Sequence, residues 1–104
     1  MAEEVVGEIL WTHTAKTSFN KIIEYLQNEW TEKEVGKFVN QTVDLLSNLK
    51  RYPEMCRPST KRKNVRIGII NKHSHIIYHY QARKKIIVVL LFWHPKRNPA
   101  NFKY

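Results

Sequence analysis

Two groups of basic side chains in the second half of the chain have the composition needed for phosphate chemistry. The first group consists of Arg57, Lys61, Arg62, Lys63 and Arg66. Guanidinium groups bind phosphate through paired hydrogen bonds and stabilise the charge that develops in phosphoryl transfer. Arg66 stands between Val65 and Ile67, so its side chain points away from theirs in a strand. It is a candidate phosphate ligand, and the alternatives are an ion pair with an acidic residue of the first half or a solvated side chain.

The second group is the segment His94-Pro95-Lys96-Arg97, which directly follows the longest apolar run. His94 exchanges a proton near neutral pH, and Arg97 has the planar donor geometry that fits a phosphate. A histidine and an arginine together suit RNA cleavage, in which a base activates the 2′-hydroxyl and cations stabilise the phosphorane. The alternative for His94 is a structural role in anchoring the tail.

Other side chains give weaker signals. Along a strand, His75 and His79 are about 13 Å apart, too far for one ion whose ligands all lie about 2 Å away. Cys56 has no catalytic partner, and the three glycines are too scattered for a phosphate-binding loop. We therefore expect no metal and no cofactor. The aromatic side chains among the bases either stack on nucleotides or pack in the core; they are Tyr78, Tyr80, Trp93, Phe102 and Tyr104.

The charge distribution indicates what kind of partner these residues meet. Residues 1–49 carry eight acids and four bases, whereas residues 50–104 carry one acid and fourteen bases, so the net charges are −4 and +13. A half-chain of this charge attracts a polyanion or an acidic protein. The length of 104 residues predicts one domain, residues 1–104. The single cysteine, the acidic amino terminus and an apolar run of only eight residues predict a cytoplasmic protein outside the membrane.

Hydrophobic periodicity predicts the elements that position these groups. Apolar residues recur at helical spacing from Ala15 to Trp30 and again from Val35 to Leu49, with Thr14 as the first N-cap and a capping box at Thr31–Glu34. The second helix ends before Pro53, and a loop covers Tyr52–Lys63. The predicted strands are Val5–Thr12, Val65–Asn71, Ser74–Gln81 and Lys85–Trp93, and His94–Tyr104 is a tail.

The predicted order is β-α-α-β-β-β. Connections of a few residues between the last three strands require antiparallel hairpins. The last strand does not alternate, which indicates a central strand covered on both faces. The sequence therefore predicts an α+β fold, an antiparallel sheet with a helical hairpin packed on one face, and leaves the other face with the basic loop and tail for partners.

Several segments, in this order and at this spacing, resemble the RelE/ParE superfamily of bacterial toxins from type II toxin–antitoxin modules. The similarity spans most of the chain. The segments are Ile9-Leu10-Trp11-Thr12 with Ala15, Ile22-Ile23-Glu24-Tyr25-Leu26, Leu49 with Tyr52-Pro53, Val65-Arg66, Ile76-Ile77-Tyr78-His79-Tyr80, Ile86 to Phe92, and His94-Pro95-Lys96-Arg97-Asn98-Pro99.

The resemblance implies the same β-α-α-β-β-β fold and neutralisation by an acidic antitoxin in a toxin–antitoxin hetero-oligomer. RelE-like members cut mRNA on the ribosome without a metal, using clustered Lys and Arg with a terminal Tyr or His. ParE-like members inhibit DNA gyrase and lack that set. Lys61, Lys63 and Arg66 match the RNA-cleaving branch, whereas the long helical hairpin and the His-x-x-Arg ending at Arg97 match the ParE branch.

The function favoured by the sequence is ribosome-dependent mRNA cleavage. Arg66 and Arg97 would bind the scissile phosphate and His94 would act as acid or base. Lys61 and Lys63 would position the RNA. Further substrate contacts would come from Arg57 and Tyr104. The alternatives are gyrase inhibition without chemistry and a plain nucleic-acid-binding module in which His94 is inert.

Overall fold

The structure, a computed structural model, describes residues 5–94. The predicted elements all form, and a two-residue strand, β2, lies inside the segment predicted as a loop. The elements in chain order are β1 Glu8–Trp11, α1 His13–Glu29, α2 Glu32–Arg51, β2 Arg57–Pro58, β3 Val65–Asn71, β4 Ser74–Gln81 and β5 Ile86–Trp93.

The strands form one sheet in the order β1-β5-β4-β3-β2, with α1 and α2 packed on one face. The predicted α+β fold with a helical hairpin on one face is confirmed. The sheet is mixed rather than wholly antiparallel, because β1 runs parallel to β5. Short connections force antiparallel pairing only between successive strands, and β1 is separated from β5 by both helices and three strands.

A cluster of four aromatic rings joins the helical hairpin to the sheet. The Phe19 ring lies 5.1 Å from Phe38 and 4.9 Å from Phe92, between centroids, and Trp11 contacts both Phe19 and Phe92. Each such pair contributes about 0.5–1.5 kcal/mol beyond the area it buries. Because the four rings come from β1, α1, α2 and β5, this cluster fixes the position of the helices over the part of the sheet formed by β1 and β5.

The start of α1 is bonded to an irregularity in β5. Tyr78 lies opposite Val89 and Ile77 lies opposite Leu91, so Leu90 is the extra residue of a β-bulge. The Thr12 hydroxyl donates to the Leu90 carbonyl at 3.1 Å and accepts from the Ala15 amide at 3.0 Å. The N-cap is therefore Thr12 and not the predicted Thr14, because Thr12 alone reaches both the helix amide and the bulge.

The hinge between the helices also differs from the prediction. α1 ends at Glu29, and Trp30, expected within the apolar stripe, is the C-cap residue with 56% of its surface exposed. Thr31 caps α2 through its backbone, and its side chain makes no capping hydrogen bond, so the predicted capping box does not form. The abrupt turn between the helices takes the Trp30 side chain off the buried stripe of α1.

The segment after α2 is attached to the sheet through Tyr78. The Tyr78 hydroxyl donates to the Pro53 carbonyl at 2.7 Å, and both groups are buried. Burial raises the pKa of Tyr78 well above its ordinary value, and burial also raises the pKa of the neighbouring Cys56 thiol. Cys56 packs against Gly68 of β3, where an added Cβ would lie 2.9 Å from its Sγ atom. These contacts hold the segment 53–58 flat on the sheet.

We predict that Gly68→Ala destabilises the protein by about 1–3 kcal/mol, because the new methyl group would overlap Cys56 Sγ and the Ile76 side chain at 3.0 Å. The matched control is Gly36→Ala in α2, where nothing lies within 4 Å of the added Cβ and helix propensity favours alanine by about 0.5–1 kcal/mol. Urea unfolding measures both. Equal effects of the two substitutions would contradict the close packing at Gly68.

We also predict a loss of stability at alkaline pH. A group whose pKa is raised on folding contributes stability that is complete below its unfolded pKa and is lost as the pH rises through the folded value. For Cys56 the ordinary value is 9.0, so the free energy of unfolding should fall above that pH. In Cys56→Ala the fall above about pH 9 should be shallower. Parallel pH profiles for the two proteins would argue against a raised pKa of the half-buried Cys56 thiol.

Candidate functional site

An open cleft of about 850 Å³ lies at one end of the sheet, where β3 begins, β4 ends and β5 begins. One wall is the loop 59–64, and the other is the turn 82–85 between β4 and β5. We call it the basic cleft, and its basic lining residues are Arg62, Lys63, Arg66, Arg83 and Lys84.

The loop wall is held in one conformation by its own backbone. The Ser59 amide donates to the Val65 carbonyl at 2.8 Å, and the Tyr80 amide donates to the Asn64 carbonyl at 3.0 Å. The Ser59 hydroxyl accepts hydrogen bonds from the amides of residues 61 and 62, at 3.0 and 3.1 Å. Asn64 has a φ of 62°, a left-handed conformation that asparagine adopts more readily than most residues. The wall therefore presents Arg62 and Lys63 from a closed turn.

The opposite wall is a tight turn anchored to β1. The Lys85 amide donates to the Ala82 carbonyl at 3.2 Å, and the Lys85 carbonyl accepts from the Gly7 amide at 2.8 Å. Lys85 has a φ of 55°. Arg83 and Lys84 were predicted only as part of a turn and not as site residues. The signal was present in the basic run Arg83–Lys85, because two successive hairpins must place the turn after β4 beside the start of β3.

Arg66 lines the basic cleft, and its guanidinium group contacts the neighbouring segment 54–56 of the same chain. Its Nη1 atom donates to the Cys56 carbonyl at 2.7 Å and to the Glu54 carbonyl at 3.0 Å. Its Nη2 atom is 3.6 Å from the Glu54 carboxylate. Glu54 is 68% exposed, so this ion pair contributes little. The acidic partner is thus the single acid of the second half, and Arg66 holds the segment 54–56 as well as lining the cleft.

Of the other predicted substrate ligands, Lys63 lines the basic cleft and Lys61 lies in the same loop, outside the lining. Arg57 is directly opposite Ile67 in the β2–β3 pair, so it is on the face of the sheet away from the helices. We call this the far face. Arg97 and Tyr104 fall outside the described residues, as does Phe102. Lys63 and Arg66 are therefore the predicted residues that the structure brings together.

The far face has Arg57 at its β2 edge and is otherwise mainly apolar, which corrects the expected working surface. Val65, Ile67 and Ile77 are buried there, and Leu90, Leu91 and Trp93 pack against them. The strand period of two places Val65 and Ile67 on the far face and turns Arg66 to the helix side. Among the described residues, the cations of the basic cleft therefore lie at one end of the sheet, four of them on the loop 59–64 and the turn 82–85.

His94 is at the opposite end of the sheet. Arg66 is opposite Tyr78. His94 follows Trp93, which is opposite His75, so His94 is level with Ser74, four residues or about 13 Å along the strand from Tyr78. His94 is 8% exposed, and it borders a separate cleft of about 510 Å³ together with His73. The structure does not bring His94 and Arg66 into one site.

The surroundings of His94 are those of a packed side chain. Its ring meets Tyr25 edge-on at 5.6 Å and stacks on His73 at 6.1 Å, measured between centroids.

His75, another of the histidines, lies on the far face. Burial, the largest cause, and the charge of Arg57 lower the pKa of His75 below its ordinary value. Among residues 5–94, no three His, Cys, Asp or Glu side chains are grouped to hold a metal ion.

Comparison with known proteins identifies the family. The family model described as the ParE toxin of the type II toxin–antitoxin system parDE matches residues 9–99. No match was found among curated protein sequences. In the described part of the chain, neither helix has the length and apolar character needed to cross a membrane.

Two solved structures share the fold. The chromosomal ParDE toxin–antitoxin system from P. aeruginosa superposes with a TM-score of 0.70 at 17% identity, over 86% of this chain and 97% of that chain. The RelBE2 toxin–antitoxin complex from Mycobacterium tuberculosis superposes with a TM-score of 0.60 at 14% identity, over 90% of this chain and 97% of that chain. With a family model that spans nearly its whole length, the chain belongs to the ParE toxin family, within the RelE/ParE superfamily of type II toxin–antitoxin systems.

Proposed function

We propose that this toxin acts by binding rather than by catalysis, and that it binds and inhibits DNA gyrase. The observation that carries the proposal is the separation of His94 from the basic cleft. A general acid or base must come within about 3 Å of the atom it protonates, and His94 is about 13 Å along the sheet from the level of Arg66. The match to the ParE model supports the same proposal, because resemblance to the ParE branch implies gyrase inhibition without a catalytic set.

The toxin is proposed to be neutralised in the cytoplasm by an acidic cognate antitoxin, in a hetero-oligomer. Both similar solved structures are toxin–antitoxin assemblies. The second half of this chain, with one acid and fourteen bases, is the natural complement of an acidic protein. Charge complementarity of this kind accelerates association, which suits the capture of a harmful protein soon after synthesis.

A second candidate function is ribosome-dependent mRNA cleavage, which the basic cleft favours. Lys63, Arg66 and Arg83 surround one open volume. Cations alone can stabilise the charge of a phosphorane when the ribosome orients the RNA. In this candidate His94 is not the acid or base for a phosphate bound at Arg66, and another group would have to move the proton.

Gyrase inhibition can be measured with purified components. Purified toxin added to gyrase, ATP and relaxed plasmid, with no ribosomes present, should block supercoiling. Because inhibition by binding is stoichiometric, the effect should saturate at a fixed ratio of toxin to gyrase. Agarose gel electrophoresis of the plasmid measures it.

The control for this experiment is the toxin premixed with its co-purified antitoxin, which should restore supercoiling. Full supercoiling at saturating free toxin would reject gyrase as the target. A ribosomal assay in which mRNA is cut under the same conditions would then support the second candidate.

A substitution at His94 distinguishes binding from catalysis in cells. Because the proposed mechanism uses no proton transfer at His94, His94→Ala should arrest growth at an induction level within about threefold of the unsubstituted toxin. Loss of an acid–base residue from an enzyme would reduce its rate by about 10²–10⁴-fold. His73→Ala, which removes the stacked neighbour, is the matched control, and retained antitoxin binding verifies folding. Loss of toxicity in His94→Ala alone, with antitoxin binding intact, would restore the catalytic interpretation.

A further inference from the structure

We propose that the basic cleft binds the sugar–phosphate backbone of duplex DNA. Its lining has five cations and one acid, Glu54, whose carboxylate faces Arg66 at 3.6 Å. The cleft therefore has an excess of positive charge on a concave surface. Such a surface focuses its field outward and attracts a polyanion.

Three of these cations are not neutralised within the described structure. Lys63, Arg83 and Lys84 are exposed, and none of them has an acidic partner among residues 5–94. They come from both walls of the cleft, so an extended anion lying along it meets charges from two sides. Duplex DNA carries one negative charge per about 1.7 Å of its axis and can contact all three at once.

The cleft is also built before any ligand arrives. The loop wall is bonded through Asn64 to the Tyr80 amide, and the turn wall through Lys85 to the Gly7 amide. Both walls contain a residue in the left-handed conformation, which sharpens the reversal of the chain there. A preformed backbone lowers the ordering cost of binding, so that the exposed side chains alone must be fixed.

The lining favours a duplex backbone over an unpaired strand. Proteins that bind single-stranded RNA or DNA present aromatic rings on which unpaired bases stack. The aromatic ring of this cleft is Tyr80, and it packs against the hydrophobic core under the helices. His79, the other planar lining residue, has its Nδ1 atom 3.4 Å from the Gln81 amide nitrogen. The five cations of the lining contact phosphates without reading bases.

The biological use of this binding rests on the proposed function. Gyrase holds duplex DNA while it changes its linking number. A toxin that contacts gyrase and the bound duplex together gains the affinity of both contacts, as any bivalent ligand does. We therefore expect the toxin to bind the gyrase–DNA complex more tightly than gyrase alone.

The test is fluorescence anisotropy of a labelled 20-base-pair duplex, about two helical turns long, titrated with the purified toxin between about 50 and 200 mM salt. Contacts from three cations give a slope of about −2.7 in a plot of log affinity against log salt, so affinity should fall at least about 40-fold over this range. The triple variant Lys63→Gln, Arg83→Gln and Lys84→Gln should lose that part of the slope and bind at least about tenfold more weakly at the lower salt.

The matched control removes the same charge elsewhere. Lys16→Gln, Lys21→Gln and Lys33→Gln replace three exposed lysines of the helices and leave the net charge equal to that of the cleft variant. This control should keep most of the slope. Equal losses in the two triple variants would overturn the assignment to the cleft, because they would indicate attraction by net charge alone. Absence of duplex binding at the lower salt would overturn it as well.

Two further measurements distinguish this inference from the proposed function. A single-stranded RNA of the same length should bind more weakly than the duplex, and tighter RNA binding would overturn the inference in favour of an RNA-directed cleft. The cleft variant should inhibit supercoiling less than the helix variant. If the toxin binds duplex DNA through the cleft but leaves supercoiling intact, the proposed function fails and the inference stands. If it inhibits gyrase without binding DNA, the inference fails and the proposed function stands.

Discussion

The constraint on which the structure depends is the short connection between successive strands of the β3–β4–β5 meander. Antiparallel strands joined by two- to four-residue turns return to the same end of the sheet at every second turn. The start of β3, the end of β4 and the start of β5 therefore share one end, and the β3–β4 turn and the end of β5 share the other. This sorting places Lys63 beside Arg83 and leaves His94 beside His73. The order and length of these connections therefore separate the basic cleft from His73 and His94.

Much of the fold could be predicted from the sequence, because helices and hairpins are specified locally. The apolar stripes from Ala15 and Val35 sufficed to place both helices, and the short turns sufficed to order three strands. The parallel pairing of β1 with β5 could not be predicted, since it joins segments about 78 residues apart and depends on where the aromatic cluster around Phe19 places the helices. The shift of the N-cap to Thr12 has the same origin, because the cap hydroxyl also bonds β5.

The sequence was enough to predict that basic residues make up the candidate site, but not how they are arranged in space. The basic residues of the loop were visible as a cluster, but their distribution over the two faces depended on the register of β2 and β3. That register sends Arg57 to the far face and Arg66 to the helix side. The carbonyl partners of Arg66 come from the segment 54–56, whose path is set by the buried bond from Tyr78 to Pro53. Side chains on irregular backbone are positioned by tertiary contacts that no local pattern encodes.

The bulge at Leu90 lets β5 contain one residue more than the stretch of β4 with which it pairs. Leu90 has no partner on β4, so the side chains of Leu90 and Leu91 both lie on the far face. Odd-numbered residues of β5 face the helices before the bulge, and even-numbered residues face them after it. A chain without Leu90 would lose the bulge and keep Trp93 on the far face and His94 on the helix side, because the pairs from Leu91 onward would be unchanged. Related toxins that differ by a single residue here would thus differ in the local bend and twist of β5 while presenting the same residues on each face. The bulge therefore lets the strand gain or lose one residue at this point without moving the residues that follow it.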